Sequence, residues 1–74
     1  MGEKDLTYSE VLQRVSQNIK TLRKAKGLTQ EDMAKLGFNP RHFQKLESGR
    51  HSVNLMTIYR LSRALKVDIR DFFR

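Results

Sequence analysis

Helix-starting and helix-stopping residues alternate so closely in this chain that only short helices fit between them. Thr29 opens a stretch that stops at Gly37, Asn39-Pro40 opens one that stops at Gly49, and Asn54 opens a third that runs to Leu65. Thr and Asn side chains accept hydrogen bonds from the free N–H groups of a first helical turn. Proline at the first helical position has no N–H to lose, and glycine reaches the left-handed backbone on which many helices end. No segment alternates long enough for a strand.

The apolar spacing within each stretch agrees. Val11, Val15, Ile19 and Leu22 lie on one face of a first helix over residues 9–25, with Ser9 as its cap and Gly27 as its stop. Lys24 and Lys26 suit the negative end of its dipole. Thr29, with Asp32 three residues on, resembles a capping box for a second helix over residues 30–36, which turns Met33, Ala34 and Leu36 inward. The third helix, within residues 39–48, has Phe43 and Leu46 as its inward pair. The fourth, over residues 54–65, carries a stripe of Leu55, Ile58, Leu61 and Leu65 with Ala64 beside it. A short fifth helix begins at Asp68 and brings Ile69, Phe72 and Phe73 onto the core or onto a partner. The class is all-α. One domain is expected over residues 9–74, with residues 1–8 the candidate for a disordered segment.

Composition narrows the partners. The 74 residues hold fifteen Lys/Arg against eight Asp/Glu, a net charge of +7, with Lys20, Arg23, Lys24 and Lys26 close together. Such a bias fits a polyanionic partner and also plain solubility. Residues 1–10 go the other way, with Glu3, Asp5 and Glu10 against Lys4. There is no cysteine, so neither a disulfide framework nor a cysteine zinc site can form, as suits a reducing compartment. No apolar run approaches the roughly 18 residues of a membrane span, and no signal peptide is recognisable, so the expected location is the cytoplasm. Met1-Gly2 resembles a myristoylation start, but Leu6 stands where Ser or Thr is required. His42 and His51 lie on different elements without a cysteine to help, so no metal is expected. No nucleophile–base pairing or glycine-rich phosphate loop is present; neither an enzyme nor a cofactor is expected.

A short helix, a tight turn and a second helix suggest a helix-turn-helix, whose second helix enters the DNA major groove. The residues at these places resemble the Cro/repressor-type (XRE-like) family. The run Gly27-Leu28-Thr29-Gln30-Glu31-Asp32-Met33-Ala34 is similar to the opening of its motif, and Phe43-Gln44-Lys45-Leu46-Glu47-Ser48-Gly49 to the end of its recognition helix. The run from Leu55 through Leu65, followed by Phe72-Phe73, is similar to its last two helices. The resemblance covers roughly residues 15–73 and implies a five-helix, lambda-repressor-like domain. In one place the chain departs from it. Family members usually have three residues between the alanine of helix two and the glycine of the turn; here only Lys35 and Leu36 separate Ala34 from Gly37.

The resemblance implies a base-reading set at the start of helix three: Pro40, Arg41 and His42, with Gln44 and Lys45 one turn on. A guanidinium such as that of Arg41 can donate two hydrogen bonds to a guanine edge, Lys45 can add a guanine or a phosphate, and Gln44 can pair with adenine. Pro40 offers only an apolar contact. Gln30 is implied to bind backbone phosphate, and Ser48, Arg50, His51 and Asn54 the opposite strand, contacts that position without carrying sequence information. For Arg23 and Glu47 the resemblance implies a structural ion pair between helices one and three; the competing reading puts Arg23 in a DNA-facing basic patch.

The expected function is therefore a sequence-specific regulator of transcription, a repressor or controller, that binds double-stranded DNA as a homodimer. In length and layout the chain resembles short phage repressors and the controller proteins of restriction–modification systems. Tyr59, Ile69, Phe72 and Phe73 serve either a dimer interface or the core. The alternative is an antitoxin-type interaction module with autoregulatory DNA binding, and a related one is the DNA-binding piece of a longer chain. No small-molecule effector is expected.

Overall fold

The computed structural model describes residues 5–74. It holds four α-helices, α1 (Tyr8–Ala25), α2 (Gln30–Lys35), α3 (Pro40–Ser48) and α4 (Leu55–Leu65), followed by a 3₁₀ segment, Ile69–Phe73. No strand occurs among the described residues, and the class is all-α. Residues 1–4, half of the candidate disordered segment and with it the Met1-Gly2 pair, lie outside the described residues; of the other half, Thr7 caps α1 and Tyr8 begins it.

Each helix begins on a side-chain cap. The cap of α1 is Thr7, not Ser9. Thr7 Oγ1 accepts from the Glu10 N–H at 3.1 Å, while the Glu10 carboxylate accepts from the Thr7 N–H at 2.9 Å. This reciprocal box needs an acid three residues after the cap. Glu10 supplies it for Thr7, whereas Leu12 stands at that place for Ser9. Thr29 and Asp32 make the same box at the start of α2, at 3.0 and 2.8 Å. Asn39 caps α3 by accepting from the His42 N–H, and Asn54 caps α4 by accepting from the Thr57 N–H. Asp68 caps the last segment, where the Asp71 N–H reaches back to the Asp68 carbonyl at i→i+3 spacing. That bond makes the fifth element a 3₁₀ turn and not an α-helix.

The end of α2 departs from the expected inward set. The helix stops at Lys35, and Gly37 takes φ +100°. The Gly37 N–H then bonds to the Ala34 carbonyl, and the Phe38 N–H to the Met33 carbonyl, which is the double bond of a Schellman ending. With this ending Phe38 joins Met33 in the buried core. The core place expected for Leu36 is thereby filled by Phe38; Leu36 stays 46% exposed, and Ala34 is exposed too. Val11 and Leu55 also differ from expectation, at 36% and 70% exposure. They sit in the first turns of α1 and α4, where they line an open apolar cleft.

The core forms between all the elements. Val15 and Ile19 enter it from α1, Met33 from α2, Phe43 and Leu46 from α3, Ile58, Leu61 and Leu65 from α4, and Phe72 from the 3₁₀ segment. Each large apolar side chain buried in this way contributes about 1.5–3 kcal/mol. In the tertiary packing α1 lies on α3 and on the 3₁₀ segment, α2 lies on α3, and the 3₁₀ segment also lies on α4. Asn18 of α1 ties that segment down, donating from Nδ2 to the carbonyls of Phe72 and Arg74, each at 2.9 Å.

Candidate nucleic-acid interface

Helix α3 is anchored on one side and open on the other. Phe43 and Leu46 are 0% and 1% exposed, so rotation of the helix about its axis is blocked. That leaves Pro40, Arg41, His42, Gln44 and Lys45 all exposed. Arg41 and Lys45 are four residues apart and share a helix face. No acidic residue stands in the first turn of α3, so the partly positive end of the helix and the Arg41 guanidinium face solvent together.

The ends of α1, α2 and α3 meet in one buried polar cluster. Arg23 Nε donates to Glu47 Oε2 at 2.7 Å, and Arg23 Nη2 to Glu47 Oε1 at 3.1 Å. Arg23 Nη1 also donates to the Leu28 carbonyl at 2.7 Å, which closes the α1–α2 loop. The two side chains are 7% and 4% exposed. Arg23 is thus turned inward on Glu47 and does not join the basic surface. Gln30 adds a third donor to the Glu47 carboxylate, at 2.9 Å. A primary amide has two N–H donors, so Gln30 keeps one more as well as its carbonyl oxygen.

The other phosphate candidates flank α3 at its far end. Arg50 and His51 are exposed in the α3–α4 loop. Ser48 is exposed, but its hydroxyl is used locally, donating to the Lys45 carbonyl and accepting from the Arg50 N–H. Asn54 has its carbonyl oxygen occupied as the α4 cap and retains its amide donors. The loop is further tied to the start of α1 by the Tyr8 hydroxyl, which donates to Ser52 Oγ at 2.9 Å.

One participant has no sequence signature. Arg60 of α4 reaches across to the α2–α3 turn. Its Nη2 donates to the Gly37 carbonyl at 3.2 Å, and its guanidinium carbon lies 4.8 Å from the centre of the Phe38 ring. On α4 it falls beside the apolar stripe among other polar positions, and nothing in its spacing links it to residues 37 and 38.

Two carboxylates at the starts of α2 and of the 3₁₀ segment are lowered by the hydrogen bonds they accept. The Thr29 backbone N–H, and then its hydroxyl, keep Asp32 below the ordinary 3.8. Asp68 is lowered further, first by the Arg70 side chain and then by the Arg70 backbone N–H. Among the described residues, no three His, Asp or Glu side chains gather in a group able to hold a metal ion. No described helix is long and apolar enough to cross a membrane.

Comparison with known proteins agrees with this geometry. Residues 19–72 match the helix-turn-helix family model. A protein of Sinorhizobium fredii (strain NBRC 101917 / NGR234), named as the uncharacterized HTH-type transcriptional regulator y4dJ, is 43% identical over 54 residues. The matched stretch covers 72% of this chain and 70% of that protein.

Proposed function

Since the chain belongs to the XRE-type helix-turn-helix family of DNA-binding transcriptional regulators, we propose that it binds a specific double-stranded site as a homodimer, with α3 in the major groove of each half-site. Regulation follows by occupancy of a promoter, as a repressor or controller in the cytoplasm. The observation that carries the reading is the split of α3 into a buried anchor, Phe43 and Leu46, and an exposed set headed by Arg41. Arg41 and Lys45 read base edges; His42, Gln44 and Pro40 border them. Gln30, Arg50 and His51 hold phosphates, with the Asn54 amide and the turn shaped by Ser48 beside them.

The dimer reading rests on a second surface. Leu55, Met56, Tyr59 and Phe73 are each at least half exposed. Together with Tyr8, Val11 and Ile69 they line two neighbouring apolar clefts that share Leu55. An apolar face of this kind on a small domain suits a second copy. Size-exclusion chromatography with light scattering at high micromolar concentration is expected to show a dimer. A monomer would leave the face to a different protein, as the antitoxin-type reading requires.

Selection of bound sequences from a random duplex pool tests the whole proposal. The expected result is an enriched site with two-fold symmetry, and no enrichment would overturn it. Arg41→Ala is expected to relax preference at one base pair per half-site, at about 1–3 kcal/mol. Gln30→Ala is expected to weaken all sequences alike.

A further inference from the structure

We infer that Arg60, which lies on α4 outside the helix-turn-helix, is a positioning residue for the recognition helix. The inference rests on the DNA-reading role proposed for α3. Two contacts, of different kinds, join Arg60 to the short turn. Its Nη2 hydrogen-bonds the Gly37 carbonyl at 3.2 Å, and its guanidinium stacks on Phe38 at 4.8 Å. From Phe38 the contact continues into α3. The Phe38 and Phe43 rings are 6.1 Å apart and tilted by 58°. Phe43 is wholly buried and is one of the two side chains that set the roll of α3.

The path from α4 to the reading face is therefore continuous. Arg60 holds the turn carbonyl and the Phe38 ring; Phe38 backs Phe43; Phe43 fixes where Pro40, Arg41 and His42 point. The turn's own ties are the two backbone bonds of its Schellman ending. Gly37 sits at φ +100°, and Leu36 beside it is 46% exposed and supplies no anchor. The Arg60 side chain thus links α4 to the turn, beside the packing of α4 on the 3₁₀ segment. A planar guanidinium suits both contacts, since it stacks by its face and donates by its edge. Lysine reproduces the charge but not that geometry.

The test compares the affinity of the full chain for its selected duplex with that for a random duplex of equal length, at one salt concentration. Arg60→Leu is expected to lower this ratio about tenfold, the scale of one mismatched base pair, with the protein still folded by circular dichroism. A residue that merely stabilises the fold would change the melting temperature and leave the ratio alone. A ratio within twofold of the parent chain would overturn the inference. Should Arg60→Leu not fold, Arg60→Lys carries the test: a ratio about threefold down supports the stacked geometry, and an unchanged ratio overturns it. If the parent chain enriches no site, the DNA-reading role and this inference fall together. If it does and the Arg60 variants match it, the inference alone falls.

Discussion

Two arginines each join one element of this small domain to another, and they do so in opposite settings. Arg23 is buried with Glu47 and binds it through two parallel hydrogen bonds, joining α1 to α3. Arg60 is exposed and holds the α2–α3 turn by one hydrogen bond and a ring. The difference teaches what each can do. A buried charge left without its partner is severely penalised, so removing one member of the Arg23–Glu47 pair is expected to loosen the docking of α1 on α3. An exposed stacked guanidinium is worth little to global stability. Its effect is on where a turn sits, and through the turn on where α3 points.

The largest expected effect breaks the buried side of this comparison. Arg23→Met should lower stability by about 3–5 kcal/mol, because Glu47 is left charged and desolvated. Thermal or urea unfolding followed by circular dichroism measures it, and an unchanged melting temperature contradicts the role given to the pair. Adding Glu47→Leu to Arg23→Met is expected to restore part of the loss, since the orphaned charge is then gone. Failure of the double variant to recover would mean that the Arg23 bond to the Leu28 carbonyl and the Gln30 bond to Glu47 carry most of the effect.

The exposed side should respond much less. Arg60→Leu is expected to cost only about 0.5–1 kcal/mol in the same unfolding assay. A loss as large as that of Arg23→Met would erase the contrast between the two arginines.

The smallest effect concerns pH, at the N-terminus of α2 between the two clamps. The Asp32 carboxyl is depressed below 3.8 in the folded chain by its bonds from Thr29, so its contribution is fully present above that value. As pH falls below about 4 toward the lower folded value the Asp32 carboxylate is protonated and its contribution is lost. Asp68, depressed by Arg70, acts in the same direction. Unfolding measured from pH 6 down to pH 2 should therefore show a stability decline that Asp32→Asn flattens in part. A decline identical in the variant would remove Asp32 as a cause.

Much of this architecture was legible from local chemistry. Thr29, Asn39 and Asn54 cap the helices read from them, because a cap depends on residues three positions apart and nothing more distant. The inward pair of α3 follows from its spacing for the same reason. The cap of α1 lies two residues before the expected Ser9, because Ser9 lacks the acid three residues on that completes a box, which Glu10 provides for Thr7. Val11 and Leu55 lie on apolar stripes yet stay exposed, because periodicity identifies an apolar face but not whether anything covers it.

What the sequence determined by itself is the set of elements, their order and the face of α3 that stays free, since hydrogen-bonding caps and helical periodicity act over a few residues. Only the tertiary structure decided how the short turn is closed. Two residues between Ala34 and Gly37 let α2 end early, and that ending brings Phe38, not Leu36, into the core. The turn then meets Arg60 from twenty-three residues further along the chain. A contact over that separation leaves no periodic trace. It exists because packing the helices around a common core brings α4 against the turn.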